Sequence, residues 1–211
     1  MKIRLTFFFL CLIFGGITQN YQPFIGKIVY KISNLDRPND EPLEMTVYSI
    51  DSLVRIETLS TVFGNQIFIK HLIRRKSFLL ISLDDTNNYA IKGNFEEIDT
   101  VIHEKKYAWI NKIGTKKIAG IKSKKLKLTF IKSQNSFYCY YAKNYSSKYL
   151  DAYRDFPGLP LEYYLETEDG ILKYSLTKVD FEIPNYDLFG IPKNYQRVTF
   201  DEFVKILTEG Q

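Results

Sequence analysis

The sequence has few of the residues that most catalytic and metal sites require. It has two histidines, His71 and His103, and two cysteines, Cys11 and Cys139. The spacings HExxH, CxxC, GxSxG and GxxxxGK, which are typical of zinc peptidases, thiol redox sites, serine hydrolases and phosphate-binding loops, do not occur. These absences argue against a metal-dependent or nucleophilic enzyme, and we expect no catalytic residue, no metal site and no cofactor.

Charge gives equally little reason to expect a nucleic-acid partner. The chain has 29 Lys and Arg against 24 Asp and Glu, a formal net charge of +5. Without Lys2 and Arg4, which belong to the N-terminal segment described next, 27 basic residues face 24 acidic ones. The resulting +3 is too mild to indicate nucleic-acid binding. The densest basic stretch, residues 116–127, is typical of an exposed strand face, and contact with anionic lipid headgroups is the alternative.

The N-terminal segment has the three parts of a secretory signal peptide. Two basic residues precede an apolar run over residues 5–14, and small and polar residues follow it. A bilayer-spanning helix needs roughly 20 apolar residues, and this run has about half that length. We therefore predict a signal peptide over residues 1–19 rather than an anchor, and a periplasmic or outer-membrane-associated location. Its removal leaves Cys139 as the only cysteine, which excludes an intramolecular disulfide.

Alternation of apolar and polar residues predicts that residues 20–211 form one mainly β domain. Ile28, Tyr30 and Ile32 share one face of a strand, for example, and lysines occupy the other. About ten segments of this kind follow one another, and the Asp169-Gly170 pair is typical of a tight hairpin turn. We predict a mainly β (α+β) fold, a single curved antiparallel sheet that forms a half-barrel.

Two helices are predicted to pack across this sheet. Apolar residues recur at helical spacing in the range 95–102. Near the C-terminus, Thr199 and Glu202 have the Thr-x-x-Glu spacing of a capping box and open an amphipathic run. The apolar positions of this second helix are Phe200, Phe203, Val204 and Leu207.

Aromatic residues are what the chain has in abundance, with 16 Tyr and 16 Phe. Several lie in the ranges 137–141 and 156–174, on predicted strands and the segment that leads into them. A curved sheet lined by such residues either fills its own core or holds an apolar ligand, and the sequence leaves both open. The ligand-binding residues that we predict are Tyr141, Phe156, Leu159, Tyr163 and Tyr174.

Short segments of the second half follow one another in a recognisable order. Trp109 is followed by residues 117–120 (KIAG), the lysine pair 124–125 and residues 156–162 (FPGLPLE). In this order they resemble the GLPGLI-type family of exported bacterial envelope proteins. The resemblance implies a half-open antiparallel barrel, similar to periplasmic lipoprotein carriers, with helices across its mouth. It implies no activity, cofactor or catalytic residue. In the motif itself, we expect Gly158 to permit a turn that a side chain would obstruct.

Two classes of function follow from these observations. The one that we favour is an exported envelope binding protein that accommodates an apolar ligand, such as a lipid or an acyl chain, without catalysis. The alternative is a structural or protein-interaction component of the envelope. Its core would be filled, and its partner would be an envelope protein bound at an exposed edge strand or at the basic face.

Overall fold

The computed structural model describes residues 21–60, 64–84, 86–93, 106–150, 152–153 and 155–209. Twelve strands in these residues form one curved, unclosed sheet. The predicted signal peptide and the predicted helix over residues 95–102 lie outside the described residues. The strands are β1 (Gly26–Asn34), β2 (Leu43–Ile50), β3 (Leu53–Ser60), β4 (Gly64–His71), β5 (Lys76–Ser82), β6 (Asn88–Gly93), β7 (Tyr107–Ile118), β8 (Ile121–Phe130), β9 (Ser136–Ala142), β10 (Leu159–Thr167), β11 (Gly170–Asp180) and β12 (Gln196–Val198).

The strand order across the sheet is β12-β6-β5-β4-β3-β2-β1-β11-β10-β9-β8-β7. Neighbouring strands are antiparallel, except that β12 pairs with β6 in parallel. The predicted mainly β half-barrel is confirmed. The parallel pair was not predicted, because the three residues of β12 are too few to show alternation.

One side of the sheet carries the main hydrophobic core. Ile28 and Tyr30 are fully buried, and Tyr30 lies opposite Met45 of β2 and Leu176 of β11. Directly opposite residues share a face of a sheet, so the alternation continues from strand to strand. We call this side the core face. It bears Ile28, Tyr30, Met45, Val47, Ile56, Phe68, Leu126, Leu128, Cys139, Tyr141, Tyr163 and Tyr174.

The connection between β9 and β10, residues 143–158, covers this core face. It contains a short 3₁₀ helix, Ser147–Tyr149, and contributes Leu150 and Phe156 to the core. The Tyr149 hydroxyl accepts the Phe24 backbone N–H at 2.7 Å and donates to the Asp51 carbonyl at 3.0 Å. Among the described residues, this part of the sheet is therefore covered by the β9–β10 connection and not by either of the two helices that the sequence predicted.

After β11, the chain passes around the edge of the sheet at β6. A 3₁₀ helix, Tyr186–Phe189, lies on the side opposite the core face, where Arg55 Nη1 donates to the Leu188 carbonyl at 2.8 Å. Ile191 and Tyr195 then pack against buried residues of β4, β5 and β6. β12 pairs with β6, and the chain returns to the core side as helix α1 (Phe200–Glu209).

Helix α1 begins with the predicted capping box. The Thr199 backbone N–H donates to Glu202 Oε2 at 2.7 Å, and the Glu202 N–H donates to Thr199 Oγ1 at 3.3 Å. Phe203 is buried beside Tyr89, whereas Phe200 and Val204 are exposed, contrary to the predicted apolar face. Ile206 and Leu207 complete the packed side. No helix in the described residues has the length and apolarity to cross a membrane.

Candidate functional site: an apolar cleft on the core face

An apolar cleft of about 230 Å³ lies on the core face, beside the β9–β10 connection. Four strands separate β4 from β10 in the sheet order, so the curvature of the sheet is what brings their side chains to one cleft. The lining has no Asp, Glu, Lys, Arg or His. It consists of Met45, Ile56, Phe68, Leu150, Ala152, Tyr163, Leu165 and Tyr174.

Tyrosines form one wall of the cleft. The rings of Tyr163 and Tyr174 lie opposite each other on β10 and β11 and stack, with centroids 4.7 Å apart and planes at 10°. Tyr30 meets Tyr163 edge to face at 5.9 Å, and its hydroxyl donates to the Pro160 carbonyl at 2.7 Å. Burial raises the pKa of Tyr30 and of Tyr174, so both hydroxyls stay neutral at physiological pH.

Hydrogen bonds hold the β9–β10 connection against β7 and β10. The Tyr153 hydroxyl donates to the Tyr164 carbonyl. Asp155 accepts the Tyr107 hydroxyl at 2.5 Å and the Trp109 indole N–H at 3.2 Å. Burial, with a further contribution from the Asp155 carboxylate, raises the pKa of Tyr107, which keeps this phenol a donor. The connection is thus fixed at the end that leads into β10.

Gly158 lies where two backbone segments meet. A Cβ atom at this position would be 2.2 Å from the Ala142 carbonyl oxygen and 2.8 Å from its carbon. Such distances are well inside van der Waals contact, so only glycine fits without a shift of the backbone. The expectation that a side chain at Gly158 would obstruct the chain is confirmed. The neighbouring Leu159 N–H donates to the Tyr145 carbonyl at 2.9 Å, which continues the close approach.

The structure brings two of the five predicted site residues to the cleft. Tyr163 and Tyr174 line it, whereas Tyr141, Phe156 and Leu159 are buried in the surrounding core. The Tyr141 hydroxyl donates to Asn111 Oδ1 at 3.0 Å. Phe156 stacks on the ring of Tyr153 at 4.5 Å. A ligand-binding role for these residues stays a prediction. The lining residues that the sequence did not single out are Met45, Ile56, Phe68, Leu150, Ala152 and Leu165.

A larger depression of about 640 Å³ differs from the cleft in having charged side chains in its lining. It lies around parts of β2, β3 and β4, and its lining includes the carboxylates Glu41, Glu44 and Glu57. Glu57 already accepts a hydrogen bond from Arg55 Nε at 2.6 Å. In the described part of the chain, no group of three or more His, Cys, Asp or Glu is suited to hold a metal ion. An acyl chain would find no continuous apolar wall there.

The surroundings of His71 and Cys139 are those of residues with a structural role. His71 ends β4, and its Nδ1 accepts the Arg74 N–H at 3.4 Å in the following turn. His103 lies outside the described residues. Cys139 is fully buried, and burial raises the pKa of its thiol to about 12. A thiol with that pKa is a poor nucleophile, because almost none of it is thiolate at neutral pH.

Comparison with known proteins shows the fold and no more. No protein-family model matches the sequence, and no curated protein is a significant relative. PNGF-II is similar in two crystal forms, with 15% identity over 87% of this chain and TM-scores of 0.53 and 0.52. The chain spans about a third of PNGF-II, 32% and 33% in the two forms.

Two further solved structures are similar at lower scores. MucB in complex with MucA(peri) has 17% identity over 86% of this chain and 58% of its own, with a TM-score of 0.45. The Mycobacterium tuberculosis lipoprotein LppX has 12% identity over 77% of this chain and 90% of its own, with a TM-score of 0.42. The resemblance to the GLPGLI-type family stays a prediction.

Proposed function

We propose that this chain is an exported envelope protein that binds an apolar ligand, such as an acyl chain, on its core face without catalysis. The observation that carries the proposal is the lining of the cleft, in which the only polar side-chain atoms are two tyrosine hydroxyls. Apolar lining with a few polar groups is typical of small-molecule sites. The signal-peptide pattern of the sequence supports the location.

The size of the cleft limits the ligand. Small-molecule pockets usually have a volume of about 300–1,000 Å³, and the volume of this cleft, about 230 Å³, is smaller. A single unbranched chain suits such a space better than a fused-ring lipid. Met45 adds some adaptability to the wall, because its side chain is unbranched and flexible.

A second candidate function is a protein-interaction role, and the edge strand β7 favours it. β7 has twelve residues, and among the described residues it pairs only with β8 and ends the strand order. An exposed sheet edge offers backbone donors and acceptors to an added strand. In this role the cleft would be a packing defect of the core rather than a binding site.

Native mass spectrometry of the protein, purified from the periplasm without detergent, tests the proposal. We expect a reproducible added mass that matches an apolar molecule. Ala152→Trp places a large ring in the cleft and should abolish that mass, whereas Ala108→Trp adds the same ring at an exposed position of β7 and should keep it. A protein that stays free of ligand after incubation with envelope lipids would overturn the proposal and leave the interaction role.

A further inference from the structure

Charge is unevenly distributed along this chain. Between Glu104 and Asp151 there are twelve lysines and no acidic residue. The other parts of the chain together have 17 basic and 24 acidic residues. The stretch without acids contains β7, β8 and β9, the last three strands at one end of the sheet. A mild net charge therefore conceals a strongly basic end of the molecule.

Strand register places part of this charge on the side opposite the core face. Lys127 lies opposite Ile110 on one neighbour and Tyr138 on the other, so these side chains share a face. The next row of the same face consists of Lys112, Lys125 and Tyr140. The intervening residues, such as Leu126 and Cys139, point into the core. We call this surface the basic face: Ile110, Lys112, Lys116, Lys125, Lys127, Tyr138 and Tyr140.

Lysines on these strands face other lysines. On the basic face, Lys112 lies directly opposite Lys125. Like charges in directly opposite positions destabilise a sheet, so this arrangement costs the isolated protein stability. An anionic surface brought against the strands would relieve the repulsion.

Two of these lysines lie over aromatic rings, and one carboxylate offsets part of the charge. The Lys125 ammonium lies 3.6 Å from the centre of the Tyr138 ring, and the Lys116 ammonium lies 3.8 Å from that of Tyr140. Lys116 also pairs with Glu162 of β10 at 3.0 Å. Ring contacts hold lysines in place without cancelling their charge, so the face remains basic.

Apolar side chains stand exposed among these lysines. The pairing of β7 with β8 passes from Lys112 to Thr115, so that Ile113 and Gly114 bulge out of register. Ile113 is 103% exposed, as open as in an extended peptide, and Ile110 and Tyr138 are about half exposed. Ile113 follows Lys112 in the alternation and therefore lies on the other side of the sheet. Ile110 and Tyr138 lie on the basic face itself, where an apolar surface would cover their exposed parts.

We propose that the basic face docks on a membrane surface that contains anionic phospholipid. Every cation between Glu104 and Asp151 is lysine. Arginine, with its planar fork, is the usual residue for bidentate recognition of single phosphates or carboxylates. Lysines act as point charges in the diffuse field of a lipid surface, and Ile110 and Tyr138 suit the interface below it. Docking in this orientation leaves the cleft on the other side of the sheet.

Vesicle flotation tests the docking surface, with vesicles of phosphatidylcholine alone or mixed equally with phosphatidylglycerol. We expect the wild-type protein to float only with the mixed vesicles, and to detach as salt is added. The triple variant Lys112→Gln, Lys125→Gln and Lys127→Gln should bind about a hundredfold more weakly, at about fivefold for each lysine. It removes like-charge repulsion, so we expect it to fold.

Two further variants distinguish docking through the basic face from attraction by the net charge of the protein. Lys76→Gln, Lys193→Gln and Lys205→Gln together remove the same charge from exposed positions elsewhere and should bind as the wild type does. Ile110→Ser should weaken binding about fivefold, because the half-exposed side chain of Ile110 leaves water completely only in the docked state. Equal losses in the two triple variants would overturn the proposal. Absence of wild-type flotation would also overturn it and direct the search to an acidic protein partner.

Discussion

Gly158 shows how a single residue fixes the path of the chain over the core face. In Gly158→Ala, the new Cβ would lie 2.2 Å from the Ala142 carbonyl oxygen, so the β9–β10 connection must move away from the end of β9. We expect a loss of about 2 kcal/mol or more in the free energy of unfolding, which corresponds to a melting temperature about 5 °C lower. Thermal unfolding followed by circular dichroism measures the effect.

The matched control for that substitution is Gly190→Ala. Gly190 has a φ of −88°, and its nearest Cβ neighbour would be the Asp187 carbonyl oxygen at an ordinary 3.4 Å. We expect a change within about 0.5 kcal/mol. Equal melting temperatures for the two variants would show that the close approach at Gly158 is not maintained in solution.

Cys139 offers a probe of core integrity. Its thiol is fully buried, and burial raises its pKa to about 12. In the folded protein we expect no reaction with a thiol reagent at mildly alkaline pH, and complete reaction in denaturant. Rapid labelling of the native protein under the same conditions would contradict the burial of Cys139 in the core.

The stability of helix α1 depends on Phe203, and Phe200 in the same helix provides the matched comparison. Phe203 is 3% exposed and contacts Tyr89, whereas Phe200, one turn earlier, is 65% exposed. Phe203→Ala should destabilise the helix and β12 by about 3–5 kcal/mol, and Phe200→Ala should have little effect. Hydrogen exchange of the amides in α1 and β12 measures both. Similar protection in the two variants would mean that α1 does not depend on the contact with β6.

Alternation in the sequence predicted the sheet because its cause is local. In β1, each apolar residue that faces the core is followed by one that does not, and this period of two is visible without any neighbour. The same logic failed for α1, where Phe200 and Val204 fit the helical period but face water. Which side of a helix is covered depends on where its end is attached, and here the three-residue β12 decides it.

Only two of the eight residues that line the cleft were predicted, for a related reason. Tyr163 and Tyr174 were identified as aromatic residues of a predicted hairpin, and the hairpin turn places them opposite each other. Ile56 and Phe68 reach the same cleft only through the curvature of the whole sheet, and Leu150 only through the path of the β9–β10 connection. Such long-range placement leaves no periodic trace in a single sequence.

Alkaline pH should destabilise the whole molecule, because several buried acids keep their protons in the folded state. Burial raises the pKa of Cys139 and of Tyr164 to about 12, and also raises that of Tyr30 and Tyr153. In the unfolded chain these groups ionise at about pH 9–10. Between about pH 9 and 12 the unfolded state therefore binds fewer protons, and stability falls as pH rises. Urea unfolding across this range should show the decrease, and an unchanged midpoint would contradict it.

The cleft and the basic face lie on opposite sides of one sheet and share no residue, so we expect ligand retention and membrane docking to be separable. Ala152→Trp should lose the co-purifying ligand and still float with vesicles that contain phosphatidylglycerol. The triple variant at Lys112, Lys125 and Lys127 should show the reverse, and the combined variant should lose both, because changes without shared partners act independently. If filling the cleft also weakened flotation, the two faces would be coupled, and docking on a membrane would then change the affinity of the cleft for its ligand.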